Sequence, residues 1–98
     1  LLSESASKLE YSTLKTEAYI MLGQLDSDTK KAMRFFDNAA KNALSENEKT
    51  YISILKAKRL VADNNKVKAL EILNSLDTEN SQYIELFEEV YGTALTLN

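Results

Sequence analysis

The segments AMRFF (residues 32–36) and ALEIL (residues 69–73) decide the fold, because the second repeats the small and large apolar positions of the first. A shift of 37 residues lays one segment on the other, and the same shift places Ala57 on Ala94. A fixed period of this length indicates stacked helical hairpins, since one hairpin cannot bury its apolar face alone. Repeats of this kind usually present a surface to a partner, so the pattern favours a binding function.

Composition predicts an all-α chain that forms a single domain over residues 1–98. The chain is 44% hydrophobic, has no Pro, and has only two glycines, Gly23 and Gly92. Ala, Leu, Lys and Glu, which favour helices, are abundant. No apolar run approaches the ~20 residues that a membrane span needs. Because the sequence starts at Leu1 and not at Met, we expect it to be part of a longer chain, with either an anchor or a signal as the alternatives for the upstream segment.

The absence of two residue types removes most catalytic chemistry. The sequence contains neither Cys nor His, so it offers no thiolate nucleophile, no disulfide and no zinc site of Cys/His type. It also lacks an imidazole that could act as a base near neutral pH. We therefore predict a protein that is not an enzyme and that needs no cofactor or metal.

Charge is unevenly distributed along the chain. Residues 1–68 hold all twelve Lys and Arg against nine acids, whereas residues 69–98 hold six acids and no base. Phosphate would be repelled by the acidic end, and the upstream bases are interleaved with acids as on an ordinary solvated helix surface. The sequence therefore predicts no nucleic-acid ligand.

Apolar residues at helical spacing predict five helices, at about residues 8–24, 29–43, 45–63, 66–76 and 81–97. The second should follow N-cap residues at 26–29, and the third should start at the S-x-x-E capping box of residues 45–48. The first helix should carry one apolar stripe, formed by Leu14, Ala18, Met21, Leu22 and Leu25. Leu1 and Leu2 should end an earlier helix.

The second hairpin resembles a tetratricopeptide repeat. In that family a small residue on the first helix packs against a small residue on the second, and Ala57 and Ala69 fit this pair. The first hairpin departs from the pattern, since Ile20 and Gly23 stand where Ala and a large residue are expected. The period is also longer than the family's 34. The resemblance implies a divergent, tetratricopeptide-like fragment of about five antiparallel helices in a right-handed solenoid.

A second resemblance covers residues 46–98. The segments at 54–60 (ILKAKRL), 68–76 (KALEILNSL) and 91–95 (YGTAL) are similar to the extracytoplasmic domain of the ancillary Sec-translocon subunit family (YfgM-type). That resemblance implies a domain on the periplasmic side of the bacterial inner membrane, held by an N-terminal anchor. Its expected partners are translocon subunits and a periplasmic chaperone. The family supplies no catalytic residue and no binding motif.

Candidate contact residues follow from the repeat geometry, in which first helices line a concave face. Tyrosine buries area and keeps a polar tip, so it is common in binding surfaces. We select five candidate partner contacts, while packing within the chain remains an equal alternative for the tyrosines: Tyr19, Tyr51, Lys58, Tyr83 and Glu88.

Two groups of carboxylates could suggest a metal site or a catalytic site, but each has a simpler structural interpretation. Asp26 and Asp28 begin like a calcium loop, but Lys31 and Asp37 occupy the positions where Gly and Glu are needed, so capping is predicted. The acids at 85, 88 and 89 could form an acid/base pair, but a solvated acidic face is the simpler interpretation.

The sequence thus predicts a non-catalytic protein-interaction module, specifically the periplasmic domain of a translocon-associated protein that assists secreted or envelope proteins together with chaperones. Two alternatives stay open. One is a cytosolic tetratricopeptide-like adaptor. The other is a structural module that forms a homodimer through the fifth helix around Phe87 and Tyr91.

Overall fold

Five helices make up the described part of the chain. The computed structural model describes residues 2–78 and 82–97, with side chains described from residue 11 onward. No strand occurs in these ranges, which confirms the all-α prediction. The body is elongated, with principal dimensions of 55 × 32 × 16 Å. The helices are α1 (Leu2–Leu25), α2 (Thr29–Asn42), α3 (Glu46–Ala62), α4 (Lys66–Asn74) and α5 (Ile84–Leu95).

Helix boundaries agree with the sequence except at α1, α4 and α5. α1 already includes Leu2, so the expectation that this residue ends an earlier helix is wrong, and Leu1 lies outside the described residues. α4 ends at Asn74, two residues before the predicted end. α5 begins at Ile84, and the predicted start at Ser81 lies outside the described residues.

Side-chain caps set the starts of three helices. The Asp28 carboxylate accepts hydrogen bonds from the backbone N–H groups of Lys30 and Lys31 at the start of α2. The Ser45 hydroxyl accepts one from the N–H of Glu48 at the start of α3. These bonds satisfy donors that the first helical turn leaves without partners. They confirm that the acidic loop before α2 and the S-x-x-E motif are helix starts.

The turn between α3 and α4 ends one helix and starts the next within three residues. Asn64 has a φ of 63°, in the left-handed region that Asn tolerates better than most residues. The N–H groups of Asn64 and Asn65 donate to the carbonyls of Val61 and Leu60, which is the Schellman pattern of helix termination. The Asn65 side chain then caps α4. This N-cap lies 37 residues after the N-cap of α2 at Asp28.

The 37-residue period also appears in burial. Three pairs of residues that the shift superimposes are each at most 1% exposed: Ala32 with Ala69, Phe36 with Leu73, and Ala57 with Ala94. The first helices of two hairpins end 37 residues apart, at Leu25 and Ala62. The residues of these three pairs therefore share the same degree of burial.

The core is divided into two clusters that lie along the body. One joins α2 to the first half of α3 and is built around Phe36 and Ile52. The other joins α3, α4 and α5 around Leu73 and Val90. α1 packs on α2, α3 packs on α2 and α4, and α5 packs on both α3 and α4. α3 therefore connects the two halves of the molecule.

Gly23 lies in a crowded environment and Gly92 in an open one, so the same substitution to Ala should have opposite effects at the two positions. A Cβ atom built on Gly23 would lie 2.8 Å from the Phe36 ring, whereas one built on Gly92 meets nothing within 4 Å. We expect Gly23→Ala to lower the free energy of unfolding by about 1–3 kcal/mol, because α1 or the buried ring must shift. We expect Gly92→Ala to raise it by about 0.5–1 kcal/mol through helix propensity. Urea titration of both variants measures the two changes, and stabilisation by both would contradict the close approach of α1 to α2.

Candidate interaction surfaces

One face of α1 is apolar and open to solvent. The sequence predicted a single apolar stripe on this helix, and the structure turns that stripe outward, away from α2. The exposed fractions are 64% for Tyr11, 65% for Leu14, 60% for Met21, 45% for Leu22 and 75% for Leu25, and Ala18 is exposed as well. We call these six residues the α1 face.

The opposite side of α1 packs on α2 through smaller or half-buried residues. Thr16 and Gly23 are buried, and Tyr19 and Ile20 are half-buried against the cluster around Phe36. Gly23 permits this arrangement, since the Phe36 ring occupies the space that any larger side chain would need. α1 thus packs against the buried ring at its smallest residue, and its large apolar side chains lie on the exposed side.

The α1 face has the spacing of a helix-pairing seam. Tyr11, Leu14, Ala18, Met21 and Leu25 follow one another at alternating intervals of three and four residues. This is the repeat by which one helix packs knobs into the holes of another. The Lys15 ammonium lies 5.6 Å from the centre of the Tyr11 ring and borders the face with a positive charge.

The predicted contact tyrosines pack within the chain while remaining partly accessible. Tyr19 stacks on Phe35 with ring centres 6.4 Å apart, which joins α1 to α2. Tyr51 stacks on Tyr83 at 4.8 Å, which joins α3 to the residue preceding α5. All three tyrosines are half-buried. The structure therefore brings Tyr51 and Tyr83 together and leaves Tyr19 in a separate cluster.

The other two predicted contacts are exposed and stand apart. Lys58 lines an open cleft of about 280 Å³ between the end of α1 and α3, together with Gly23, Phe36 and Ala62. Glu88 is exposed on α5. The five candidates are therefore distributed among the Tyr19–Phe35 pair, the Tyr51–Tyr83 pair, the cleft beside Lys58 and the exposed side of α5.

Phe87 and Tyr91 of α5 are less available than the sequence suggested for a dimer face. Their ring centres lie 5.6 Å apart, and both side chains are half-buried against the core cluster of α3 and α4. The backbone carbonyls of Leu95 and Leu97 accept hydrogen bonds from the Lys66 ammonium, which fastens the end of α5 to the start of α4.

Arg59 forms a connection that sequence reasoning missed. Its guanidinium donates to the carbonyl of Asp26 at 2.5 Å and to that of Ser27 at 2.9 Å, so α3 holds the loop between α1 and α2. Asp63 lies 3.7 Å from the same guanidinium and accepts a hydrogen bond from the Thr29 hydroxyl. Only 16% of the Arg59 side chain is exposed. Nothing in the linear pattern distinguishes this Arg from Lys58 beside it.

A groove with basic walls is the second feature that the sequence did not indicate. It measures about 640 Å³ and is bounded by α2, α3 and α4. Lys30 and Arg34 lie one turn apart on α2, and Lys68 lies on α4. Bases that are scattered in the sequence meet here because α2, α3 and α4 all line the groove. We call this feature the α2–α4 groove.

Residues 2–78 and 82–97 contain no group of three or more Asp and Glu side chains placed to hold a metal ion. Within the same ranges, no helix combines the length and the apolar content that crossing a membrane requires.

Comparisons with known proteins give no match for this chain, whether with family models, with curated proteins or with solved structures. The all-helical architecture is thus defined by the structure itself.

Proposed function

We propose that this chain is a non-catalytic protein-binding module whose principal partner surface is the α1 face. The observation that carries the proposal is the row of large apolar side chains that α1 presents to solvent. Contiguous exposed apolar surface costs free energy in water and commonly marks a site that another molecule covers.

The spacing of the row favours a helical protein partner. Residues at intervals of three and four form a straight seam on a helix, and a second helix with the same spacing can bury it along its length. A membrane-bound helix instead typically combines such a face with a polar side rich in Lys and Arg. Between residues 11 and 25, α1 carries only Lys15 and Glu17 as charged residues, which favours a protein over a lipid surface.

The arrangement of α3, α4 and α5 supports a tetratricopeptide-like interpretation. Ala57 and Ala69, which fit the small-residue pair of that family, are both fully buried in one cluster. α5 packs on both helices of the preceding hairpin, as a first helix of a further repeat would. By the resemblance in residues 46–98, we extend the proposal to the periplasmic domain of a translocon-associated protein that works with envelope chaperones.

The location has its own test. The full-length protein should be accessible to protease added to spheroplasts, and disruption of the inner membrane should not be needed. Protection of the domain in intact spheroplasts would overturn the periplasmic location and favour a cytosolic adaptor, but it would leave the binding function of the α1 face untouched.

Charged substitutions on the α1 face test the binding function. We expect Leu14→Glu combined with Met21→Glu to change the free energy of unfolding by no more than about 1 kcal/mol, because both side chains are already exposed. Binding of the domain to the purified Sec translocon of the same organism should weaken more than tenfold, since two carboxylates would be buried at the seam. Surface-attached domain and soluble translocon give both affinities.

Val67→Glu is the matched control, because Val67 is a similarly exposed apolar residue on α4. It should leave the affinity unchanged. Equal affinity for the wild type and the α1 double variant would overturn the assignment of the face. Sedimentation velocity on the same samples detects self-association: a wild-type dimer that the α1 substitutions dissociate would make a second copy the partner of the α1 face, whereas a dimer that persists in the α1 variant would fit the alternative interface on α5.

A further inference from the structure

The α2–α4 groove combines apolar and basic walls. Its inner surface includes the buried Leu60 and the half-buried Met33 and Ile72, which come from three different helices. Its volume of about 640 Å³ lies in the range of ligand pockets in proteins. The remaining lining residues are polar or charged: Thr29, Lys30, Arg34, Lys56, Asn65, Lys68 and Glu71.

The net charge of the groove lining is opposite in sign to the net charge of the whole chain. The groove contains four bases and one acid, a sum of +3, whereas the chain has a net charge of −3. Lys56 is neutralised by Asp37, whose carboxylate lies 2.7 Å from its ammonium. Lys30, Arg34 and Lys68 have no ion pair among the described residues, and all three are exposed. Three uncompensated cations thus surround an apolar floor.

We propose that the α2–α4 groove is a second binding site, which takes an acidic peptide segment of a partner protein in which carboxylates alternate with large apolar side chains. The apolar side chains pack on Met33, Leu60 and Ile72, and the carboxylates pair with the three free cations. Complementary charge of this kind selects partners and accelerates encounter. Arg34 can hold a carboxylate with two parallel hydrogen bonds.

The geometry disfavours two other occupants. Nucleic acid would gain from the cations, but Glu71 lies on the groove wall and the floor offers no aromatic ring for base stacking. The acidic helix α5 of a second copy has suitable charges in Glu85, Glu88 and Glu89, but its apolar side is occupied by packing on α3 and α4. A segment that binds in the groove must supply both carboxylates and large apolar side chains.

A defined peptide tests the site without knowledge of the natural partner. The probe is a short fluorescent peptide in which Glu and Leu alternate, measured by anisotropy against the purified chain. We expect a dissociation constant below about 1 mM at low salt and weaker binding as salt is added. The same peptide with Gln in place of Glu should bind at least tenfold more weakly. Failure of the acidic peptide to bind at millimolar concentration would overturn the proposal.

Charge reversals locate the binding. Lys30→Glu, Arg34→Glu and Lys68→Glu should each lower the affinity for the acidic peptide by about tenfold. Lys31→Glu is the matched control, because Lys31 is equally exposed on α2 but does not line the groove. Equal losses with Lys31→Glu, or tighter binding of a single-stranded DNA oligomer than of the peptide, would overturn the assignment. The Leu14→Glu, Met21→Glu double variant should bind the peptide with wild-type affinity. The experiment therefore tests the groove independently of the proposal for the α1 face.

Discussion

Phe36→Ala should lower the free energy of unfolding by about 3–5 kcal/mol, a change measurable by urea denaturation. The ring is 1% exposed, fills the cluster between α2 and α3, and meets Gly23 of α1. Its removal therefore leaves a cavity where three helices join. In a domain of this size, a loss of even 1 kcal/mol lowers the melting temperature by about 4–8 °C, so the variant should melt far below the wild type.

Phe35→Ala is the control for this substitution, since the neighbouring ring is half-buried and contacts Tyr19 at the edge of the cluster. We expect Phe35→Ala to lower the free energy of unfolding by less than half as much as Phe36→Ala does. Phe36→Leu, which keeps most of the apolar volume, should cost no more than about 1.5 kcal/mol and provides a folded variant if the alanine variant unfolds. Losses of equal size for Phe35→Ala and Phe36→Ala would contradict the described orientation of α2.

Arg59→Ala should lower the free energy of unfolding by about 2–3 kcal/mol, because the loop between α1 and α2 loses two charge-assisted hydrogen bonds. The guanidinium holds the carbonyls of Asp26 and Ser27 on its two terminal nitrogens, a geometry that an ammonium group cannot reproduce. Arg59→Lys should therefore recover less than half of the loss. Amide exchange should also become faster at the start of α2, where Thr29 bonds to Asp63.

Lys58→Ala provides the comparison, because the Lys58 side chain is exposed and forms no ion pair among the described residues. We expect a change within about 0.5 kcal/mol. If Lys58→Ala and Arg59→Ala had the same effect on thermal unfolding, the connection between α3 and the α1–α2 loop would not contribute to stability.

Helix type and helix caps could be predicted from the sequence because they depend on local chemistry. Asp28 and Ser45 cap helices wherever those helices pack. Ala32, Phe36, Ala69 and Leu73 are buried, as expected for apolar residues at helical spacing. These features required no knowledge of tertiary contacts.

The orientation of α1 could not be predicted from apolar spacing. This helix has large apolar residues on one side and Tyr19 and Ile20 near the other, so the period alone does not select the buried side. The choice depends on Gly23, where the backbone of α1 comes close enough for Phe36 to fill the gap. The α2–α4 groove was missed for a related reason, since Lys30 and Lys68 are distant in sequence and meet only across the stacked helices.

Site-specific photocrosslinking in living cells tests the central claim, that the α1 face is a partner-binding surface, most directly. A photoreactive amino acid is placed at Met21 of the full-length protein, with Val67 on α4 as the control position, because both side chains are similarly exposed. The account predicts a discrete covalent adduct with another protein, or with a second copy, from position 21 and none from position 67. No adduct at position 21, or the same adducts from both positions, would contradict it.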